Sequence, residues 1–369
     1  MKTISFSLLL ALSCVLSACT GRPARSRLLT KHKRIVFLGD SITDGHTYPL
    51  LIAQALREAG YRVPDLINAG VAGDTAKDMS ERLQKDVLSR QPTMVFVSAG
   101  INDVHAGYSV EKYMTYMRDI CRRLSEKDVP ITIMTTTIVG PKHEDKKETL
   151  LAYNEQLRDL ARAKSYRLAE IYETMEAEQS EEKDLLSDDD IHLNFSGYRV
   201  MARALLDSLG CREVPVPEKL ELSLIPGVVR HWSIRPARKD ERPLNTNIVS
   251  KLKPDDSWTE LNLPQSEAMD SWWEDQERQR GFAQKLQKHV GRGGSYIGCT
   301  QIRSETQRAV QFLTGARLRS IWLNGERIYH NTEWTGWHAG KERVPATLMA
   351  GENQIFIETG PSFFLAVDY

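Results

Sequence analysis

Between Lys33 and Gly210 the chain alternates short, unbroken apolar runs with longer segments whose apolar residues recur at helical spacing. The runs are Ile35–Leu38, Leu66–Ala69, Met94–Ala99, Ile131–Ile138 and Arg167–Ile171. The amphipathic segments are Leu50–Ala59, Ala76–Leu88, Val110–Leu124 and Thr149–Lys164, with Gly197–Leu209 closing the series. A strand that is apolar along its whole length has no solvated face, so this pattern predicts a parallel sheet with helices on both sides. Right-handed crossovers then give a three-layer α/β sandwich.

Beyond Gly210 the pattern changes. Pro215, Pro217, Pro226, Pro236 and Pro243 interrupt the next stretch, and residues 211–250 read as a proline-rich linker packed along the surface. Residues 251–369 read as mostly β. Ile321-Trp322-Leu323 and Arg327-Ile328-Tyr329 flank Asn324-Gly325, a hairpin signal because both residues accept positive φ. Val344–Leu348, a Gly351-Glu352-Asn353 turn, Gln354–Glu358 and Phe363–Val367 follow. Short strands at that spacing predict a β-sandwich, with a helical insert over Ser271–His289 before most of it. All seven tryptophans lie beyond Gly210, which supports two domains of different make-up.

The first residues stand apart from both domains. Lys2 precedes an apolar run, Ile4 to Leu16, that is too short to span a bilayer and is shaped like a signal-peptide core. It ends in Leu16-Ser17-Ala18-Cys19, which looks like a bacterial lipobox. Residues 1–18 are therefore expected to be a signal peptide, Cys19 to be lipidated, and residues 19–32 to form a tether. Acyl chains on Cys19 would anchor the protein, at about 0.8 kcal/mol per buried CH2. Of the five cysteines, Cys14 leaves with the signal, and Cys121, Cys211 and Cys299 have neither zinc-like nor disulfide-framework spacing.

Composition narrows the partners. The 369 residues include 49 Lys+Arg and 49 Asp+Glu, so net charge is zero. With no basic excess to attract phosphates, nucleic acid is not an expected partner.

Four short segments lie at or beyond the ends of the predicted strands. Gly39-Asp40-Ser41 follows the first, Asn68-Ala69-Gly70-Val71-Ala72-Gly73-Asp74 the second, and Gly100-Ile101-Asn102-Asp103 the third. Asp189-Asp190-Ile191-His192 lies past the fifth. Taken singly each has a plain reading as a turn or a helix cap. A parallel sheet, however, brings its carboxyl ends to one edge, where open α/β folds place their sites.

Together the segments carry the inventory for acyl transfer. Ser41 is a weak nucleophile at neutral pH and needs a base within reach to take its proton. His192 suits that role, and Asp189, three residues earlier, can curl back to hold the other ring nitrogen. Asp188 and Asp190 adjoin it, and spacing alone does not choose among the three. The backbone N–H groups of Ser41 and Gly73 and the Asn102 amide are candidate oxyanion donors. Gly73 is expected to be glycine so that backbone can approach the substrate.

These four segments, in this order, resemble the SGNH (GDSL-type) hydrolase family over roughly Lys33–Gly210. The resemblance implies a flavodoxin-like fold for residues 33–210 and ester hydrolysis with no metal or cofactor. It implies catalytic roles for Ser41, Asp189 and His192 and an oxyanion hole at Ser41, Gly73 and Asn102. The family's D-x-x-H spacing selects Asp189. Ile42 departs from the family name, which has leucine there.

The segments Trp322-Leu323-Asn324-Gly325-Glu326 and Gly336-Trp337-His338-Ala339-Gly340 resemble galactose-binding-like jelly rolls appended to carbohydrate-active enzymes. Trp334 or Trp337 could stack on a sugar face, but each tryptophan is read first as sandwich core or domain seam. The expected function is an exported serine esterase, lipid-anchored to the bacterial cell envelope, that hydrolyses acyl esters, with acetyl on carbohydrate favoured. The competing readings are a lipid esterase or thioesterase using the same residues, and an inert glycan-binding surface lipoprotein.

Overall fold

The five apolar runs all become strands of one sheet in the computed structural model, which describes residues 31–45, 47–180, 184–223, 227–262, 266–269, 286–331 and 342–368. The strands are β1 (Arg34–Gly39), β2 (Asp65–Gly70), β3 (Met94–Val97), β4 (Ile131–Met134) and β5 (Arg167–Ala169). Their order is β2-β1-β3-β4-β5 and every pairing is parallel. Ile35 to Leu38 are fully buried, and the Phe37 ring stacks on Phe96 of the neighbouring strand at 5.1 Å. Burial of both faces is the reason these strands lack polar alternation.

The helices are α1 (Ser41–Asp44), α2 (Thr47–Glu58), α3 (Ala76–Asp86), α4 (Ile101–His105), α5 (Val110–Ser125), α6 (Glu144–Lys164), α7 (Ile171–Glu178) and α8 (Phe195–Ser208). Local chemistry sets several starts. Thr75 and Asp78 form a reciprocal capping box at α3, Ser109 caps α5, and Asn194 caps α8.

Two sequence expectations shift. β4 stops at Met134 although burial continues to Ile138, because the Thr136 N–H turns to the Asn154 side chain at 2.8 Å. Ile171 opens α7 instead of ending β5, its next N–H donating to Thr135 Oγ1 at 2.9 Å.

Strand order reverses between β1 and β3, since the chain leaves β1 toward β2 and then crosses back. The crevice at this switch point is where such sheets hold ligands. The residues after β1 and after β3 therefore face each other across the expected position for chemistry.

The C-terminal region is antiparallel. The strands β7 (His231–Pro236), β8 (Thr259–Asn262), β10 (Tyr296–Ser304), β11 (Arg308–Leu323), β12 (Glu326–His330) and β14 (Gly351–Asp368) lie in the order β12-β11-β14-β10-β7-β8. β13 (Glu342–Leu348) pairs with β11, and β6 (Leu220–Ser223) pairs with β9 (Ser266–Met269). The expected strands Gln354–Glu358 and Phe363–Val367 are one continuous β14, and both of its halves run along β11. The register slips between Ala316 and Leu318, opposite the gap between Thr359 and Phe363. Ile355 and Ile357 from one half and Phe363, Leu365 and Val367 from the other enter the same core.

The expected linker over residues 211–250 is corrected. Cys211, Val214 and Leu220 are buried in the core of the parallel-sheet body. Residues 231–236 form β7 inside the antiparallel sheet, between β10 and β8. Trp232 and Ile234 point into its core and alternate with His231 and Ser233, a strand pattern that the surrounding prolines masked.

Trp232, Trp258 and Trp322 are buried. Arg235 lies over the Trp258 ring at 4.8 Å and makes two hydrogen bonds to Glu241, at 2.6 and 2.8 Å. These three tryptophans are core and cannot serve as sugar platforms. Trp272, Trp273, Trp334 and Trp337 lie outside the described residues, as do residues 1–30 with Cys19, and most of the insert expected over Ser271–His289.

Candidate active site

β1 ends by burying its last turn. A Cβ at Gly39 would meet Thr43 Oγ1 at 2.0 Å, so only glycine lets α1 fold back this tightly. Asp40 caps α1 by accepting from the Ile42 N–H at 3.0 Å, and Ser41 is the first helical residue. Burial pushes the Asp40 carboxyl up to about 6, against the opposing pull of the Ile42 N–H and of His192. Ser41 is thereby presented at the carboxyl edge of the sheet by a turn whose side chains are all engaged.

His192 meets it there. The Ser41 hydroxyl and His192 Nε2 are 2.8 Å apart, and His192 Nδ1 is 2.6 Å from Asp189 Oδ2. One tautomer satisfies both contacts, with Nδ1–H donating to the carboxylate and Nε2 accepting from the hydroxyl. The other Asp189 oxygen accepts from the N–H of Ile191 at 3.0 Å, the N–H of His192 at 2.9 Å and the Ser187 hydroxyl at 2.9 Å. Burial alone would raise this carboxyl, but these hydrogen bonds outweigh it and hold Asp189 far below the usual carboxylate range.

The carboxylate of the next residue is occupied elsewhere. Asp190 packs against Gly140, where a Cβ would meet its Cγ at 2.7 Å, and its Oδ2 accepts from the Lys142 N–H at 3.0 Å. The Asp188 carbonyl accepts from the Lys142 ammonium. Asp190 adopts φ 62°, which turns the loop back so that the Ser187 N–H can reach the His192 carbonyl at 2.8 Å.

The donor side is assembled from β2 and β3. Gly73 has φ +89°, and a Cβ there would meet nothing within 4 Å. The glycine is therefore required by its left-handed backbone rather than by a crowded neighbour, and the space beside it is open. Among the described residues neither the Ser41 N–H nor the Gly73 N–H has an intramolecular acceptor. Asn102 Nδ2 donates one hydrogen to the Asp74 carbonyl at 2.9 Å and has a second to offer.

The loop carrying Gly73 is pinned from several directions. The Ala72 N–H donates to Asp44 of α1 at 3.1 Å. The Arg82 guanidinium bonds Asp74, Asp86 and the Gly39 carbonyl, tying this loop to the end of β1. Asp103, fully buried, accepts from the Ala76 N–H at 3.0 Å, and its carboxyl is pushed up to about 7, chiefly by burial and then by the nearby Asp40.

Sequence reasoning missed the supports: Ser187, Asp44, Arg82 and Asp103, together with His105 and His143 beside the Asp189 loop. Ser187 alone left a trace, as the serine two residues ahead of the selected aspartate. The rest act through contacts between elements distant in sequence. Among the described residues no group of three His, Cys, Asp or Glu side chains is placed to hold a metal ion.

Residues 37–200 match the model of the GDSL-like Lipase/Acylhydrolase family. An acetylxylan esterase from Geobacillus stearothermophilus is 24% identical over 212 residues, covering 48% of this chain and 94% of that protein. The uncharacterized lipoprotein YqeF of Bacillus subtilis (strain 168) is 32% identical over 105 residues, 27% of this chain and 40% of that one. The crystal structure of the lipase/acylhydrolase from Enterococcus faecalis aligns with a TM-score of 0.45 at 20% identity, over 49% of this chain and 96% of that one.

Proposed function

Because residues 37–200 form a domain of the GDSL-like lipase/acylhydrolase family, and the chain is accordingly a serine ester hydrolase, we propose that it removes acetyl groups from carbohydrate through an acyl-serine intermediate. The observation that carries the mechanism is the unbroken chain Ser41–His192–Asp189, with contacts of 2.8 and 2.6 Å, at the switch point of the sheet.

In this reading Ser41 Oγ attacks the ester carbonyl while His192 Nε2 takes the hydroxyl proton. Asp189 keeps the ring in the required tautomer and stabilises the imidazolium. The N–H groups of Ser41 and Gly73 and the second Asn102 hydrogen receive the developing oxyanion. Collapse breaks the bond to the alcohol, which leaves with the proton from His192. Water, deprotonated by the same ring, then attacks the acyl-serine and releases the acid.

Acetyl on carbohydrate is favoured by the acetylxylan esterase relative, 94% of which is matched by 48% of this chain. Export and lipid anchoring at Cys19 are favoured by the apolar run Ile4–Leu16 followed by Leu16-Ser17-Ala18-Cys19, and by the lipoprotein relative. The β-region would then hold the catalytic domain near its polymer or space it from the membrane.

The experiment is a comparison of acetylated xylooligosaccharides with para-nitrophenyl esters of increasing chain length, using wild type and Ser41→Ala. Acetyl release by wild type alone is the expected result. Preference for long acyl chains overturns the carbohydrate substrate, and wild-type turnover by Ser41→Ala overturns the mechanism. Metabolic labelling with palmitate tests the anchor, and a Cys19→Ser protein labelled as strongly as wild type would remove it.

A further inference from the structure

Two histidines lie between the halves of the catalytic machinery. His105 is on α4, the short helix that carries Asn102, and its Nδ1 is 2.7 Å from the Ile101 carbonyl. His143 ends the turn before α6, and its Nε2 is 3.2 Å from the Asp189 carbonyl, on the loop that carries His192. His105 Nε2 and His143 Nδ1 face each other at 3.3 Å, with ring planes inclined at 70°. One line of contacts therefore runs from the backbone beside the oxyanion donor to the backbone of the acid that orients the base.

The carbonyls at the ends fix the tautomers. A carbonyl only accepts, so His105 carries its hydrogen on Nδ1 and His143 carries its own on Nε2. With both rings neutral, the facing nitrogens are both acceptors and set lone pair against lone pair. One added proton between them turns that contact into a hydrogen bond and completes the line.

We propose that His105 and His143 are positioning residues, a bridge closed by one shared proton that fixes the Asn102 turn relative to the Asp189–His192 loop. This rests on the esterase reading above. The site needs donors and base held together around one carbonyl, and displacement on the order of 1 Å can cost about 100-fold in rate. The Lys142 contacts to Asp188 and Asp190 dock the same loop but reach no element of the donor side. The histidine pair does.

The charged groups on the elements around the pair are Lys142, Glu144 and Asp145 beside His143, Asp103 on α4, and Asp188, Asp189 and Asp190 on the loop. Asp189 is engaged with His192, Asp103 with the Ala76 N–H, and Asp145 with Lys146. The Asp145 carboxyl is held below the ordinary carboxylate range, first by its contact with Lys146.

The test uses the full chain with para-nitrophenyl acetate, comparing wild type, His105→Ala, His143→Ala, the double variant and Ser41→Ala. Each single variant should lower kcat roughly ten-fold or more while changing KM far less. The double variant should lose no more than either single one, because both cut the same bridge. Unchanged kcat, a change confined to KM, or losses that multiply in the double variant would each overturn the bridge. Should His143→Ala fold poorly, His105→Ala carries the test, since its side chain is exposed. Activity in Ser41→Ala instead overturns the esterase mechanism and is read separately.

Discussion

The Asn102 side chain donates to the Asp74 carbonyl at 2.9 Å. Its neighbour Asp103 accepts the Ala76 N–H at 3.0 Å, so one dipeptide after β3 grips both sides of Thr75 in the loop after β2. The two donor-bearing turns are thus one mechanical unit, and the side chain proposed to bind the oxyanion also holds the loop that supplies the Gly73 N–H. Replacing Asn102 by alanine removes a direct donor and loosens a second. Its expected cost is on the order of 100- to 1,000-fold in kcat with little change in KM, read from steady-state kinetics on an acetyl ester. A change confined to KM would mean that Asn102 only positions substrate.

Adjacent aspartates in the loop should respond very differently. Asp189→Asn removes the carboxylate that sets the His192 tautomer, and kcat should drop by about 1,000- to 10,000-fold. Asp190→Asn touches only the Lys142 contact and should stay within about ten-fold of wild type. Equal losses from the two would contradict the assignment of Asp189.

Arg82 joins Asp74, Asp86 and the Gly39 carbonyl while largely buried. Arg82→Met withdraws the cation from the buried Asp86 and the partly buried Asp74, and urea unfolding should show a loss of about 3 kcal/mol. A variant as stable as wild type would show that these carboxylates find other partners at little cost.

Stability should also depend on pH through the carboxyls beneath the site. Burial raises Asp40 to about 6 and Asp103 to about 7 in the folded protein. A folded state that holds protons more tightly than the unfolded chain is favoured below the ordinary carboxylate pKa, about 4, and loses that advantage as pH rises through the folded values. Asp189, held low, works in the opposite sense: its contribution is present above the ordinary value and is lost only in strong acid. Urea midpoints should therefore fall between about pH 4 and 7 in wild type, and the decline should be smaller in Asp103→Asn. Parallel curves for the two proteins would remove Asp103 as the cause.

The sequence by itself determined the parallel-sheet body, because a strand buried on both faces has to be apolar throughout, and that signal is local. It also placed Ser41, Gly73, Asn102 and His192 near strand ends, since small turn-forming residues and polar groups after an apolar run are visible without a fold. What it left open was decided by packing. Three successive aspartates differ only in what surrounds them, and a Gly140 with no side chain, together with Lys142, draws Asp190 away while Asp189 faces the ring. β7 was hidden among prolines because its membership depends on β10 and β8, far along the chain. The Arg82 tether and the His105–His143 contact lie between elements that no periodicity connects. Local patterns report how a segment meets solvent, whereas the partners of a buried polar group are fixed only when distant segments close around it.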